Sequence, residues 1–294
     1  MPSVAFLTMS SIEGFVTYDG AAIPPLEALG WTVDSVPWRA ETDWAAYDAV
    51  VIRSPWDYQD DADAFMEVLE SIDRVTRLEN PLDVVRWNLR KTYLRDLEAA
   101  GVPVVPTRWA DGGLTACALA EAFRQWKTHE VVAKPVVSAN ADGTFRLGPD
   151  PLTWEGALAL LRRRPCLVQP FVLSVVDEGE FSVFAFGGVV SHAILKTPAP
   201  RDFRVQEEHG GTIRAVEPSP DLLDLTRAAL AAVPHDAPLL YARVDAVRMP
   251  DGRLAIMELE LIEPSLYFPY GPGSAERFAA ALDARLRHTS APAA

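Results

Sequence analysis

The chain has 294 residues, of which 49% are hydrophobic, and a formal net charge of −14 from 27 basic and 41 acidic residues. This length and composition allow a large buried core divided between two or three lobes. Because nucleic acids and anionic membranes both attract basic surfaces, the acidic balance argues against a general binder of either. Any phosphate that the protein binds must therefore be met by a local group of cations.

The cysteines, the histidines and the start of the chain exclude several other classes. Cys117 and Cys166 are far apart and lack the spacing of a zinc site, so we expect two free, buried thiols. The five histidines are too dispersed to form a metal cluster. The start, MPSVAFLTMSS, lacks the basic segment of a leader peptide, and no stretch reaches the roughly 18 apolar residues of a membrane span. We expect a cytoplasmic protein.

The N-terminal segment has the pattern of a small α/β unit. SVAFLTM, AAIPPLEALG, WTVDSVPW and YDAVVIRSPWDY predict a strand, a helix and two further parallel strands. Ligands of parallel sheets bind beyond the carboxyl ends of the strands, so residues 8–11 and 54–58 are candidate binding loops. In the second loop Ser54, Asp57 and Tyr58 are candidate substrate contacts. The alternative is structural, with aromatic residues closing the core and Asp57 capping the next helix.

The next segment predicts a helix that carries an unusual cation. RWNLRKTYLRDLEAAG, residues 86–101, has Asn88 as an N-cap, helical apolar spacing and Gly101 as a C-cap. Lys91 would then lie in the first turn, where the helix dipole is already positive, so an anion is expected nearby. Downstream, VPVVPT predicts a strand, ALAEAFRQW a helix, EVVAKPVV a strand that ends near Lys134, and CLVQPFV another strand.

Antiparallel hairpins dominate the C-terminal part. FSVFAF and VVSHAILK flank a Gly-Gly turn, and LYARVDAVRM and LAIMELEL flank a Pro-Asp-Gly turn. Alternation puts Glu258 and Glu260 on one strand face, and Arg243 and Asp245 on one face of the preceding strand. If the register brings both faces together, three carboxylates and a guanidinium form one patch. A solvated face is the alternative, but carboxylates flanked by apolar residues favour a bound divalent cation.

Six motifs in order connect the chain with a known superfamily. They are NLRKTYL, VVAKP, LVQPFV with EGEFSV, DFRVQEEHGG, ARVDAV and MELELIEPS, within residues 85–285. This succession resembles the ATP-grasp ligases, which include glutathione synthetase, D-alanine ligase and the glutamate ligases of ribosomal tails. The resemblance implies a mixed α/β (α+β) ATP-grasp fold. Its expected parts are a parallel α/β substrate lobe at 1–84, a small lobe at 85–168, and a C-terminal lobe with the metal site at 169–294, ending in a helix and a loose tail at 289–294.

The resemblance assigns a group of residues to ATP. They are Lys91 and Lys134 for the phosphates, Asn140 for the loop that covers them, Gln169 and Phe171 for the adenine edge, and Glu180, with Glu178 as a second candidate, for the ribose hydroxyls. A phosphate contact would explain the cation in the first turn of a predicted helix. The loop after Lys134 is poorer in glycine than in many relatives, so Asn140 alone is assigned within it.

The remaining assignments concern the metal, the reacting groups and the substrate. Asp245, Glu258 and Glu260 resemble magnesium ligands. Glutathione synthetase relatives usually have Asn at the third position, but a carboxylate is an equally good ligand for Mg²⁺, with Mn²⁺ as an alternative ion. Arg204 and Arg243 are the catalytic candidates, because they would offset charge on the transferred phosphoryl group. The candidate substrate contacts are Gly210, Gly211, Glu263 and Ser265, in addition to Ser54, Asp57 and Tyr58.

These assignments imply phosphoryl transfer to a carboxylate, which gives an acylphosphate that a nitrogen then attacks. IRSPWDY, DFRVQEEHGG and MELELIEPSL further resemble a bacterial subgroup whose characterised member is the O-ureido-D-serine cyclo-ligase of D-cycloserine biosynthesis. We therefore expect a ligase for a small amino-acid-like substrate, with intramolecular ring closure as its most specific form.

Three other functions are weighed against this one. An intermolecular ligase that forms a dipeptide or glutamyl amide is a close competitor, and an ATP-binding sensor without turnover is a further alternative. A metal-dependent hydrolase is disfavoured because the chain has no His-rich ligand spacing. A homodimer is expected only because two-fold dimers are the commonest oligomers.

Overall fold

A parallel four-stranded sheet forms the N-terminal part of the computed structural model, which describes residues 1–288. Its strands are β1 (Ser3–Thr8), β2 (Thr32–Pro37), β3 (Ala49–Ser54) and β4 (Arg77–Glu79), in the order β2, β1, β3, β4, and its helices are α1 (Ile23–Ala28) and α2 (Ala62–Asp73). All three strand pairs are parallel. The predicted α/β unit is confirmed, and β4 is an additional strand. The tail predicted at 289–294 lies outside the described residues.

The helix predicted over residues 86–101 is in fact two helices. They are α3 (Leu82–Asn88) and α4 (Tyr93–Ala99). Asn88 is the last residue of α3 and not an N-cap, because its side chain bonds the main-chain groups of Leu259 and Leu261 at 2.8 and 2.9 Å. The chain leaves the helical path after Asn88, so Lys91 lies in the connection between the two helices.

A second, antiparallel sheet follows. Its elements are β5 (Arg108–Ala110), α5 (Ala116–Trp126), β6 (Val131–Pro135), β7 (Phe145–Leu147), α6 (Glu155–Leu161) and β8 (Cys166–Pro170), with strand order β5, β8, β6, β7. The strand predicted over residues 102–107 is wrong. Pro103 and Pro106 have no N–H to donate, and Val104 forms only an isolated bridge to Ile256. Both cysteines are free, but Cys117 is exposed, contrary to expectation.

A third sheet of five antiparallel strands completes the fold. Its elements are α7 (Ser174–Asp177), β9 (Glu180–Phe186), β10 (Val189–Thr197), β11 (Thr212–Val216), α8 (Pro220–Ala231), β12 (Tyr241–Arg248), β13 (Leu254–Glu260) and α9 (Ser274–His288), with strand order β11, β10, β9, β12, β13. Both predicted hairpins are present. None of the helices within residues 1–288 is long and apolar enough to cross a bilayer.

The first and third sheets share one aromatic core. Phe278 of α9 packs edge-on against Phe6 of β1 and Phe186 of β9, with ring centroids 6.4 and 5.5 Å apart. The buried phenol of Tyr241 lies 2.8 Å from the carbonyl oxygens of both Ile52 and Ile262. The carboxyl end of β3 is therefore held beside the residues that follow β13, and the candidate site forms at this junction.

A buried histidine contributes to this core. The ring of His192 on β10 is stacked on Phe184 with centroids 4.3 Å apart, and its Nε2 lies 3.0 Å from the carbonyl oxygen of Leu266. The approach of Gly271 is so close that a Cβ there would lie 2.5 Å from His192 Cγ. Burial lowers the pKa of His192 to about 4.

The pH dependence of stability tests this environment. A histidine whose folded pKa is lowered from 6.5 to about 4 binds fewer protons when folded, so its contribution to stability is present above pH 6.5 and lost as the pH falls toward 4. We expect H192Q to lose less unfolding free energy than the wild type over this range, by up to about 3 kcal/mol. Urea unfolding across the same pH range measures this difference. The exposed H129Q serves as control, and identical pH dependence in H192Q and wild type would contradict the assignment.

Candidate active site

A cavity lies where the three sheets meet. The predicted site residues that line it are Tyr58, Lys91, Lys134, Asn140, Gln169, Phe171, Glu180, Arg204, Arg243, Glu258, Glu260, Glu263 and Ser265. They come from the loop after β3, the connection between α3 and α4, the second sheet and the third sheet. One cavity is therefore surrounded by residues that are far apart in the sequence. The motifs had assigned these residues to one site.

Several of the predicted contacts lie outside the cavity wall. Asp57 accepts a hydrogen bond from Trp38 Nε1 at 2.7 Å, and Ser54 is fully buried within β3. The carboxylate of Glu178 is held by Arg248 at 3.1 Å. Asp57 provides no side-chain cap to the following helical turn, so the capping role expected in the structural alternative is wrong. Ser54 and Asp57 do not line the cavity, and their contact with substrate stays a prediction.

The two predicted loop glycines also lie outside the cavity wall. Gly210 has a φ of 79°, in the left-handed region that favours glycine. A Cβ on Gly211 would lie 2.1 Å from the carbonyl oxygen of Val205. Both glycines therefore serve the folding of the loop that carries Arg204 and Val205 into the cavity wall.

The register of β12 and β13 brings the predicted metal ligands together. Asp245 is opposite Glu258, and Arg243 is opposite Glu260. Arg243 donates to Asp245 at 2.9 Å and also to Glu260. Ser182 on the neighbouring β9 donates a further hydrogen bond to Asp245. The patch expected from strand alternation is present, with Asp245 fully buried behind the two cavity-lining glutamates.

The charges in this patch shift each other's pKa values. Burial alone would raise the pKa of Asp245, but Arg243 and Lys196 outweigh it and hold the pKa below its usual value. Burial raises the pKa of Glu260 to about 8 despite Arg243, helped by Asp245 and Glu258. One carboxylate of the patch is therefore poorly compensated by the cations around it.

Lys91 and Lys134 form the cationic side of the cavity. Both are 7% exposed. Lys91 Nζ lies 2.6 Å from Glu258 and donates to the carbonyl of Ser138 at 3.0 Å, so Glu258 is the anion expected near Lys91. Burial lowers the pKa of Lys134, with Glu258 acting against this change. Asn140, in the loop that follows β6, has a φ of 50°, a conformation that Asn tolerates better than most residues.

Lys196 is a third buried cation of the cavity, and the sequence analysis missed it. Its Nζ lies 2.5 Å from Glu180 and 3.4 Å from Asp245. Burial acts to lower the pKa of Lys196, but Asp245 and Glu180 outweigh it, so the pKa is raised. A bulge between Val190 and His192 places Lys196 opposite Glu180. Turn position alone does not predict this pairing, because a bulge shifts the register by one residue.

The end of β8 and the residue after it provide Gln169 and Phe171, whose contact with the adenine edge stays a prediction. Gln169 Nε2 donates to Thr107 Oγ1 at 3.0 Å, and the main-chain N–H of Phe171 donates to the carbonyl of Glu130 at 3.0 Å. The guanidinium carbon of Arg146 lies 3.8 Å from the centroid of the Phe171 ring. The second sheet thus holds this segment firmly at one end of the cavity.

Two glutamates tie the N-terminal loop to the loop after Arg204. Tyr18 donates to both carboxylate oxygens of Glu207 at 2.9 and 3.0 Å, and the main-chain N–H of Val16 donates to Glu208 at 3.0 Å. Arg204 itself is paired with Asp202 at 2.8 Å and keeps 39% of its side chain exposed. These contacts cover one side of the cavity.

The carboxylates have the donor chemistry for a hard divalent cation. Glu258 and Glu260 offer oxygen atoms in the cavity wall, and Asp245 lies behind them. Within residues 1–288 no three His, Cys, Asp or Glu side chains are arranged so that they alone could hold a metal ion. Mg²⁺ commonly takes one or two protein carboxylates and completes its coordination with water and substrate phosphates. The two glutamates fit this mode of binding.

Known proteins share both the sequence and the fold. The family model described as "D-cycloserine synthetase DcsG, N-terminal domain" matches residues 4–80. The cycloserine biosynthesis protein DcsG of Streptomyces lavendulae is 37% identical over 287 residues, covering 92% of this chain and 95% of that protein. The crystal structure of D-cycloserine synthetase DcsG superposes with a TM-score of 0.86 at 32% identity, covering 97% of this chain and 99% of that one. The ATP-grasp ligase PsnB, with 19% identity, has a TM-score of 0.66 over 97% of this chain and 99% of its own.

The fold is that of the ATP-grasp ligases, and the protein is an ATP-dependent ligase. The predicted superfamily and the mixed α/β fold are confirmed. At 37% identity over almost its whole length, the chain belongs to the family of the cycloserine biosynthesis protein DcsG.

The charge compensation around Asp245 has a measurable effect on stability. D245N removes the carboxylate that pairs with both Arg243 and Lys196, so within residues 1–288 each of these buried cations keeps a single carboxylate partner, Glu260 and Glu180 respectively. We expect the unfolding free energy to fall by about 3 kcal/mol. In D224N, which breaks the exposed pair with Arg227, we expect a change within about 0.5 kcal/mol. Denaturant unfolding compares the two variants, and equal effects would contradict this account.

Proposed function

We propose that the protein transfers the terminal phosphoryl group of ATP to the carboxylate of a small amino-acid-like substrate, and that a nitrogen then attacks the acylphosphate. The observation that carries the proposal is the convergence of Lys91, Lys134 and Lys196 with Glu258 and Glu260 in one cavity. Three buried cations would bind a triphosphate, although the protein as a whole is strongly acidic. Positioning and charge neutralisation supply most of the catalysis in phosphoryl transfer.

The bound nucleotide would replace ion pairs that the cavity-lining side chains make with one another. In our proposal the three lysines contact the phosphates, the Gln169 to Phe171 segment contacts adenine and Glu180 the ribose. Glu180 is the stronger ribose candidate, because it lines the cavity while Glu178 is engaged by Arg248 outside it. Arg204 and Arg243 would neutralise charge on the transferred group.

The metal would be held by the glutamates of β13. Mg²⁺ is the ion proposed, with Mn²⁺ as an alternative, and Asp245 is a third carboxylate directly behind Glu258 and Glu260. When bound, the ion neutralises phosphate charge during transfer. The cations that now hold the three carboxylates, Lys91, Arg243 and Lys196, would then be released toward the phosphates.

The substrate proposed is O-ureido-D-serine, and the reaction is ring closure by a nitrogen of the same molecule. Membership of the DcsG family supports this choice, since the relative is a cycloserine biosynthesis protein. Tyr58, Glu263 and Ser265 line the cavity near the N-terminal loop and are the proposed substrate contacts. Closure of the loops by Glu207 and Glu208 would keep water from the acylphosphate.

Product analysis tests the proposed reaction. With ATP, Mg²⁺ and O-ureido-D-serine, we expect ADP and a product formed without any second amine, identified as the ring-closed compound by its mass and by comparison with authentic standard. ADP formed only when a second amine is added would indicate the intermolecular ligase. ATP binding with no turnover over a broad amino-acid panel would indicate the sensor.

Replacement of Lys134 tests the phosphate contact. K134M removes a buried cation of the cavity, and we expect kcat/KM for ATP to fall by about 100-fold, the usual cost of one group that stabilises transition-state charge. Coupled ADP release measures the rate. K127M, at an exposed lysine in the same part of the chain, is the control and should retain wild-type activity. Equal activity of the two variants would exclude the proposed role of Lys134.

A further inference from the structure

Glu263 differs from the other carboxylates of the cavity. Glu180, Glu258 and Glu260 are each paired with a lysine or arginine. In contrast, no ion pair of Glu263 with a lysine or arginine occurs in the described part of the chain. Glu263 nevertheless lines the cavity and is largely removed from solvent. Removing a carboxylate from water without an ion-pair partner costs free energy. Such a residue in a cavity is therefore a candidate for a functional role.

The stretch IRSPWDY holds Glu263 in place. Tyr58, the last residue of this stretch, is buried and lines the same cavity as Glu263. The indole N–H of Trp56 donates to the main-chain carbonyl of Glu263 at 2.9 Å, and Arg53 donates to the carbonyl of Pro264 at 2.8 Å. Two side chains of one motif therefore fix the backbone at Glu263 and Pro264. The motif therefore lies beside the site because it holds the Glu263 backbone. Its other polar residues, Ser54 and Asp57, do not line the cavity.

We propose that Glu263 is the general base that takes the proton from the attacking nitrogen, an inference that rests on the proposed function. The nitrogen lone pair forms a bond to the carbonyl carbon of the acylphosphate. The bond between that carbon and the phosphate oxygen breaks, and inorganic phosphate leaves with the electron pair. The proton lost by the nitrogen passes to the Glu263 carboxylate and then to water.

The electrostatic surroundings suit this role. Burial and the neighbouring Glu258 raise the pKa of Glu263 to about 7, while Tyr58, Lys91 and Arg243 act to lower it. Glu260 also faces this group. A general base is most effective when its pKa lies close to the working pH. Tyr58 is a positioning residue here, since it acts through the carboxylate.

The test separates formation of the acylphosphate from its use. Hydroxylamine traps an acylphosphate as a hydroxamate and needs no protein base to do so. With O-ureido-D-serine at saturating concentration as the probe, so that a weakened substrate contact limits neither reaction, we expect E263Q to form hydroxamate at no less than about one third of the wild-type rate while ring closure falls about 100-fold or more. E263D should recover part of ring closure. Y58F should lower ring closure less than E263Q does.

The controls make failure informative. E70Q, at a surface ion pair with Arg86, should match the wild type in both assays. A proportional loss of hydroxamate and ring closure in E263Q would assign Glu263 to binding or folding and overturn the inference, as would unchanged ring closure. If the wild type forms neither product with this probe, the proposed function itself fails. That result is distinguishable from failure of the Glu263 inference, because it is seen in the wild type and does not depend on the variant.

Discussion

The structure depends on mutual neutralisation of buried charges at the end of the third sheet. The carboxylates around the cavity are Glu180, Asp245, Glu258, Glu260 and Glu263, and the cations are Lys91, Lys134, Lys196 and Arg243. Buried ions persist only when opposite charges and hydrogen bonds compensate for lost solvation. Here the compensation is incomplete, as the raised pKa of Glu260 shows. A triphosphate with a divalent cation carries both kinds of charge and could exchange partners with this cluster without leaving any ion unpaired.

The surrounding fold holds these charges at one point. The aromatic core around Tyr241 and Phe278 joins the first and third sheets, and the break after Asn88 brings Lys91 to the ends of β6 and β13. The second sheet contributes Lys134 and Gln169. Each sheet provides one wall, so the cavity exists only where all three meet. The Arg53 to Tyr58 stretch links the first sheet to the segment after β13 and so connects substrate positioning with the chemistry proposed for Glu263.

Much of this arrangement is predictable from the chain, where local periodicity and turn chemistry decide the outcome. Alternation placed Glu258 with Glu260, and Arg243 with Asp245, on one strand face each, and the glycine turns located both hairpins, whereas the register that joins the two pairs is seen only in the structure. The failures arise where tertiary contacts override local preference. Asn88 is engaged by β13 and ends a helix that periodicity would continue, and a bulge in β10 decides the partner of Lys196. Ser54 ends β3 and Asp57 follows it, in positions where binding residues are common, but neither side chain lines the cavity.

The central claim, exchange of partners between the charge cluster and a metal-bound triphosphate, is tested most directly by calorimetric titration of the wild-type protein with ATP in the presence and absence of Mg²⁺. If the carboxylates pair with Mg²⁺ while the cations pair with the phosphates, ATP should bind at least about 10-fold more tightly with Mg²⁺ than without it. This corresponds to a difference of about 1.4 kcal/mol in binding free energy. An ATP affinity that is the same with and without the ion would contradict the account, because the lysines could then leave their carboxylates at no cost.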